Sequence, residues 1–257
     1  MYKKHDFLYT YEWTCKQNCI FYTQAPMEIE NKESLHKPFL VNFVLFKKEN
    51  MSLRRIDRSE IEKMDRIQRL NLVNSCTGYK SANLIATINN QGKTNVAVFS
   101  SVTHLGSDPA LISFTLRPAT VPRHTYQNIK DYGFFSINHI TAEQIADAHH
   151  TSAAYPEEIS EFDQTQLQPV YHNDCPVPFV KGSPVKLLCK YANEYLIKEN
   201  DCILVVASIE AIFYEEELLT EDKWLQLDKG KVVAINGLDG YAVPELLDRF
   251  PYARPKK

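Results

Sequence analysis

Apolar and polar positions change rhythm several times along the chain. From Arg58 the spacing predicts a helix: Ser59-Glu60-Ile61-Glu62 has the S-x-x-E form of a capping box, and Ile61, Met64, Ile67 and Leu70 supply one apolar face. Asn83-Leu84-Ile85-Ala86-Thr87-Ile88-Asn89 reads as a strand, Asn90-Gln91-Gly92-Lys93 as a turn, and Thr94 to Val102 as the returning strand. Asp108-Pro109 turns the chain into a third strand, Ala110 to Leu116. A short helix follows from about Pro122 to Lys130, then a strand Phe134 to Asn138. Thr141 to His149 reads as helix, with Thr141 as N-cap and Gln144 three residues on. Beyond a loop carrying Pro176, Pro178 and Pro184, two long strands are predicted, Val185 to Tyr195 and Cys202 to Tyr214, joined by the polar turn Ile197-Lys198-Glu199-Asn200-Asp201.

Helices are few and sit between strand pairs joined by short turns. That order predicts a mainly β chain with helical insertions (α+β), built as an antiparallel barrel, over a doubly wound parallel sheet. Residues 1–50 are a different kind of sequence, without glycine and without helical or alternating periodicity. The division is therefore an N-terminal extension, 1–50, and a domain, 51–257. Met51 as the true initiator after a mis-assigned upstream start is one reading of the extension. An ordered segment packed on the domain or on a partner subunit is the other.

Composition narrows the function. A net charge of −3 over 257 residues gives no basic footprint for nucleic acid and no polybasic membrane patch. Only eight residues are glycine, and none of their spacings gives G-x-G-x-x-G or the P-loop pattern. Any bound nucleotide must be held without a glycine-rich cradle. The six cysteines form no C-x-x-C pair; Cys189 and Cys202 sit in apolar runs and read as buried thiols. No metal site is expected, since adjacent His149 and His150 diverge on a helix. With no signal-peptide core and no long apolar run, the expectation is a soluble, cytoplasmic protein in a reducing setting. Neither G-x-S-x-G nor H-E-x-x-H occurs, and Glu215-Glu216-Glu217 reads as a solvated face.

The run Thr94-Asn95-Val96-Ala97-Val98-Phe99-Ser100-Ser101 leads to Gly106-Ser107-Asp108-Pro109-Ala110-Leu111-Ile112-Ser113-Phe114, then Arg123-His124-Thr125-Tyr126-Gln127-Asn128-Ile129, then Gly133-Phe134-Phe135-Ser136-Ile137-Asn138. In order and spacing this resembles the flavin reductase-like, FMN-binding split-barrel family (flavoredoxins and flavoprotein oxygenase-associated reductases). Glu158 to Phe162, Pro184 to Cys189 and Gly237 to Tyr241 extend the likeness, which covers about Asp57 to Ala253. Val98 stands where the family commonly has proline, Ala110 replaces a second proline, and His124 stands where an acidic residue is frequent.

The resemblance implies a split antiparallel β-barrel and a homodimer with flavin at its interface. It implies FMN rather than FAD, and an oxidoreductase passing electrons from NAD(P)H through FMN to flavin or a small acceptor. An electron carrier or sensor without NAD(P)H activity is the alternative. Carried over residue by residue, Asn95, Ala97, Val98, Phe99, Ser100 and Ser101 would hold the flavin, with backbone groups of Ala97 to Phe99 on its polar edge. Arg117, Arg123, His124, Thr125 and Asn128 would hold its phosphate, at the start of a helix opened by Pro122. From the residues alone, the two serines read equally as solvent-facing, Thr125 and Asn128 as caps, and the arginines as solvated. Trp224 and Tyr241 fit a flavin cover or ordinary packing. No catalytic side chain is nominated, because the flavin carries the hydride chemistry.

Overall fold

The computed structural model describes residues 52–172 and 174–255, so the reading of residues 1–50 lies outside the described residues. The residues from Glu62 onward form one compact unit, which holds the sheets.

Two helices, α1 (Arg58–Lys63) and α2 (Arg66–Ser75), replace the single predicted one. Asp65 explains the break: its Oδ1 accepts from the N–H of Ile67 and Gln68, which starts a new helix there. At α1 the cap is Asp57, whose Oδ1 accepts from the Glu60 N–H, rather than Ser59. No residue of α2 is buried, and Ile67 is exposed, so the predicted apolar face does not form a core surface.

The strands are β1 (Lys80–Ser81), β2 (Asn83–Ile88), β3 (Thr94–Phe99), β4 (Thr103–Ser107), β5 (Ala110–Leu116), β6 (Phe134–His139), β7 (Pro169–Val170), β8 (Phe179–Val180), β9 (Val185–Ile197), β10 (Cys202–Tyr214), β11 (Ala234–Asn236) and β12 (Gly240–Ala242). Seven of them form one antiparallel sheet in the order β3-β2-β6-β9-β10-β5-β4. The predicted strand Thr94 to Val102 ends at Phe99. Ser100 to Val102 make a corner, and β4 is a separate edge strand that hairpins onto β5.

Side-chain alternation sends Ile85 of β2, Ile112 and Phe114 of β5, Ile137 of β6, Cys189 of β9 and Val205 of β10 into one buried cluster. Strands from both halves of the sheet meet there, so the sheet is curled into a split barrel with the cluster as its interior. Phe114 lies at the centre, edge-on to Phe99 and Phe135 at 5.4 and 5.6 Å. Each such fully buried side chain contributes roughly 1.5–3 kcal/mol. On the opposite face of β2 and β3, Leu84, Ala86 and Val96 pack with Ala148 of α4 (Ile145–His150), Phe162, Val180 and Ile235 of β11. The three-stranded sheet β1-β11-β12 and the pair β7-β8 complete the strands.

The helix predicted from Pro122 begins later, as α3 (His124–Tyr132). Arg123 occupies its N-cap position with φ −126° and makes no side-chain cap bond, so Pro122 lies outside the helix. Gly133 closes it in the left-handed region (φ 80°), donating its N–H to Ile129 at 2.9 Å. Thr141 to His149 is a 3-10 turn running into α4, with Gln144 Oε1 accepting from the Thr141 N–H as predicted. Cys202 is half-buried rather than buried.

Candidate functional site

β3 is an edge strand, and its backbone groups sort by parity. The Asn89 N–H donates to the Lys93 carbonyl at 2.9 Å, which makes these two a hydrogen-bonded pair at the β2–β3 turn. Alternation then makes Thr87/Asn95, Ile85/Ala97 and Asn83/Phe99 hydrogen-bonded pairs, and turns the backbone of Thr94, Val96 and Val98 away from β2. The Val96 N–H does point outward, since it donates to Glu161 Oε2 at 3.1 Å.

A 3-10 turn, Glu161–Gln164, covers the first half of this outer edge. Thr94 Oγ1 lies 3.3 Å from Ser160 Oγ, and Asn95 Nδ2 donates to Glu161 Oε2 at 2.6 Å. Glu161 is buried, and burial pushes its carboxyl pKa up. Its own backbone N–H, the N–H of Val96, Asn95 and the charge of His124 pull the other way. The second half of the edge, beginning at Val98, receives no such cover among the described residues. Val98 thus presents an N–H and a C=O outward, while its side chain joins the packing behind β3.

α3 plugs the barrel mouth where β2 and β3 meet. Thr125 Oγ1 donates to Asn95 Oδ1 at 2.8 Å, and Asn128 Nδ2 donates to Thr87 Oγ1 at 3.0 Å. Thr87 Oγ1 also reaches Asn95 Oδ1 at 3.4 Å. All four side chains are buried, with Ile129 beside them in the interior cluster. Where the mouth closes, these four side chains thereby serve as one another's partners in place of water.

Asn95, His124 and Asn128 come together along a shallow cleft with Asn89, Lys93, Thr94, Glu157 and Ile159. The backbones of Ala97 and Phe99 are turned to β2, and the Phe99 ring enters the core. Ser100 is half-buried at the corner. Ser101 Oγ donates to the Thr115 carbonyl and accepts from the Thr115 N–H. Thr125 and Asn128 point inward as network members, neither as caps nor toward solvent. Arg117 is exposed beyond β5. Arg123 reaches the Pro118 carbonyl at 3.5 Å, and its Nε is buried without a hydrogen-bond partner.

Sequence reasoning missed Glu161 and Lys93. Glu161 carries a signal in hindsight, a carboxylate set between Ile159 and Phe162, but its partners lie 65 and 66 residues away. Trp224 lies under the Arg249 guanidinium at 4.4 Å, and the Tyr241 hydroxyl is 3.3 Å from His149 Nδ1. Among the described residues no three His, Cys, Asp or Glu side chains come together as a metal-ligand set, and no helix is long and apolar enough to cross a membrane.

The chain is similar to several known proteins. A split-barrel protein assigned as a flavin reductase, from Shewanella frigidimarina NCIMB 400, superposes with a TM-score of 0.75 at 37% identity, over 78% of this chain and 100% of that one. The uncharacterized protein YwrF of Bacillus subtilis (strain 168) is 29% identical over 178 residues, 66% of this chain and 85% of its own. Nitrilotriacetate monooxygenase component B from Bacillus cereus shares the fold at 18% identity, with a TM-score of 0.66 over 78% of this chain and 99% of that one. The family model for the flavin reductase like domain matches residues 78–235, and with the split barrel in place the chain belongs to that family.

Proposed function

We propose that the protein is an FMN-dependent oxidoreductase that takes electrons from NAD(P)H and passes them to flavin or another small acceptor. The observation that carries this reading is the half-open edge of β3. Val98 offers an adjacent N–H and C=O, matching the donor and acceptor groups on the polar edge of an isoalloxazine. Backbone groups need no glycine fingerprint for this, because the strand already fixes them. Bound there, FMN would supply hydride acceptance and electron release.

The residues around the edge fit the rest of the cofactor. The start of α3 lacks a side-chain cap, which leaves N–H donors and the positive end of the helix dipole for an anion. His124 and Lys93 border the same cleft, and Arg123 has a buried Nε awaiting an acceptor. One helix start suits a single phosphate, which favours FMN over FAD. Ser100, at the corner after β3, is placed for the ribityl chain. Thr125 and Asn128 act behind this surface by holding Asn95 and α3 in place. The ring's other face is assigned to a second copy of the chain, in a homodimer with flavin between the subunits.

Spectroscopy of the purified protein tests the proposal. Flavin absorption, with FMN released on denaturation, is the expected result. Anaerobic NADH or NADPH should then bleach the bound flavin. Bound flavin that no nicotinamide bleaches would make the protein a carrier, and absence of flavin binding would end the reading.

A further inference from the structure

Outward-facing backbone groups on a strand recur every second residue, about 6.6–6.8 Å apart. On β3 they belong to Thr94, Val96 and Val98, and to an incoming planar ligand the last two are equivalent stations. Glu161 makes them unequal. Its Oε2 takes the Val96 N–H at 3.1 Å and the Asn95 amide at 2.6 Å, so the Val96 station is filled by a carboxyl oxygen.

Building a carboxylate into this position is expensive: Glu161 is only 5% exposed, and burial disfavours its charged form. A satisfied edge N–H alone does not need it, since water or a hydroxyl would serve. What the carboxylate adds is a fixed acceptor that excludes carbonyl oxygens from the station and ties it, through Asn95, to Thr125 of α3. One side chain thus couples the open edge to the helix that borders the cleft.

We infer that Glu161 is a positioning residue that sets the register of the flavin ring on β3, closing the Val96 station and leaving Val98 as the one that receives it. The inference rests on the flavin reading above and adds the residue that selects the binding position. Glu161 acts through Val96 and Asn95 and does not itself touch the cofactor.

The test compares FMN, riboflavin and lumiflavin, which share the ring and differ in side chain and phosphate, on the full-length protein. E161A is expected to weaken all three equally, by about tenfold, and to shift the visible band of the bound flavin. E161Q keeps an acceptor oxygen for the Val96 N–H and is expected to restore binding to within about threefold of wild type. E161D withdraws the oxygen by one methylene while keeping the carboxyl group. It should weaken the three ligands equally but less than E161A, which preserves the test if E161A does not fold.

Unchanged affinity and spectrum in E161A or E161D would overturn the inference. So would a loss confined to FMN, which would place Glu161 on the phosphate instead. A wild-type protein that binds none of the three ligands defeats the flavin reading itself; wild-type binding with indifferent variants defeats only the register assignment.

Discussion

Ser101 and Thr115 are joined twice: the serine hydroxyl donates to the Thr115 carbonyl at 3.0 Å and accepts from the Thr115 N–H at 3.1 Å. Thr115 pairs with Leu204 of β10 on its other side, so this one hydroxyl serves where a further strand would otherwise continue the ladder. It fastens the corner after β3 to β5 and keeps the two halves of the barrel together on the open side.

Replacing Ser101 by alanine leaves both Thr115 groups without their partner in a half-buried setting. S101A is expected to lower stability by about 1–3 kcal/mol, read as a drop in the urea midpoint with an unchanged slope.

The Asn95–Glu161 contact predicts a pH signature in a variant. N95D places a second carboxylate 2.6 Å from the first, where the two cannot both ionise without strong repulsion. Stability should fall by about 3 kcal/mol at pH 7 and recover partly on acidification toward pH 5, as one of the pair takes a proton. Denaturant titration at the two pH values reads this; a loss that does not depend on pH would contradict it.

His139 ends β6 opposite Asn83, and burial holds its imidazole pKa down to about 4, from 6.5. Below pH 6.5 the unfolded chain takes up a proton that the folded chain refuses, so this residue withdraws stability as pH falls from 6.5 toward 4. The expected loss is about 2 kcal/mol between pH 6.5 and 5. Glu161, shifted upward, contributes with the opposite sign, so the difference between wild type and H139Q isolates the histidine. Parallel pH profiles for the two proteins would refute the assignment.

Near the C-terminus, Arg249 bridges Asp222 at 2.7 Å and stacks over Trp224. The guanidinium holds the Asp222 carboxyl down to about 2, with a further bond from Thr220. Removing the cation in R249A should return the Asp222 pKa toward its ordinary 3.8, measured by NMR titration. Trp224 fluorescence should change in the same variant as the ring loses its cover.

Strand position was legible wherever local chemistry announced it. β2, β5, β6 and β10 match their predicted bounds to within a residue, and β9 runs two residues further, because β-branched runs between polar turns carry their own limits. β4 escaped because Thr103-His104-Leu105-Gly106-Ser107 lies at a sheet edge and shows no apolar alternation. Asp65 was hidden inside an unbroken apolar period, which records spacing and not a side chain's preference for capping. Thr125 and Asn128 looked like surface donors because a helix rarely buries polar residues. Here they face Thr87 and Asn95, and that pairing is invisible until β2 and β3 lie against α3. The order of soft motifs carried the family better than any single residue carried its role.

The strand order also bears on how the molecule comes into being. β5 and β6 follow one another along the chain, separated only by α3, yet the β9–β10 hairpin stands between them in the sheet. Until synthesis passes Val185, a growing polypeptide therefore holds two unpaired fragments, β2-β3-β6 and β4-β5, each with an edge waiting for a strand not yet made. Barrel closure must await synthesis through Tyr214. Such non-local pairing folds slowly, and until then the nascent chain exposes the edges that chaperones exist to shield.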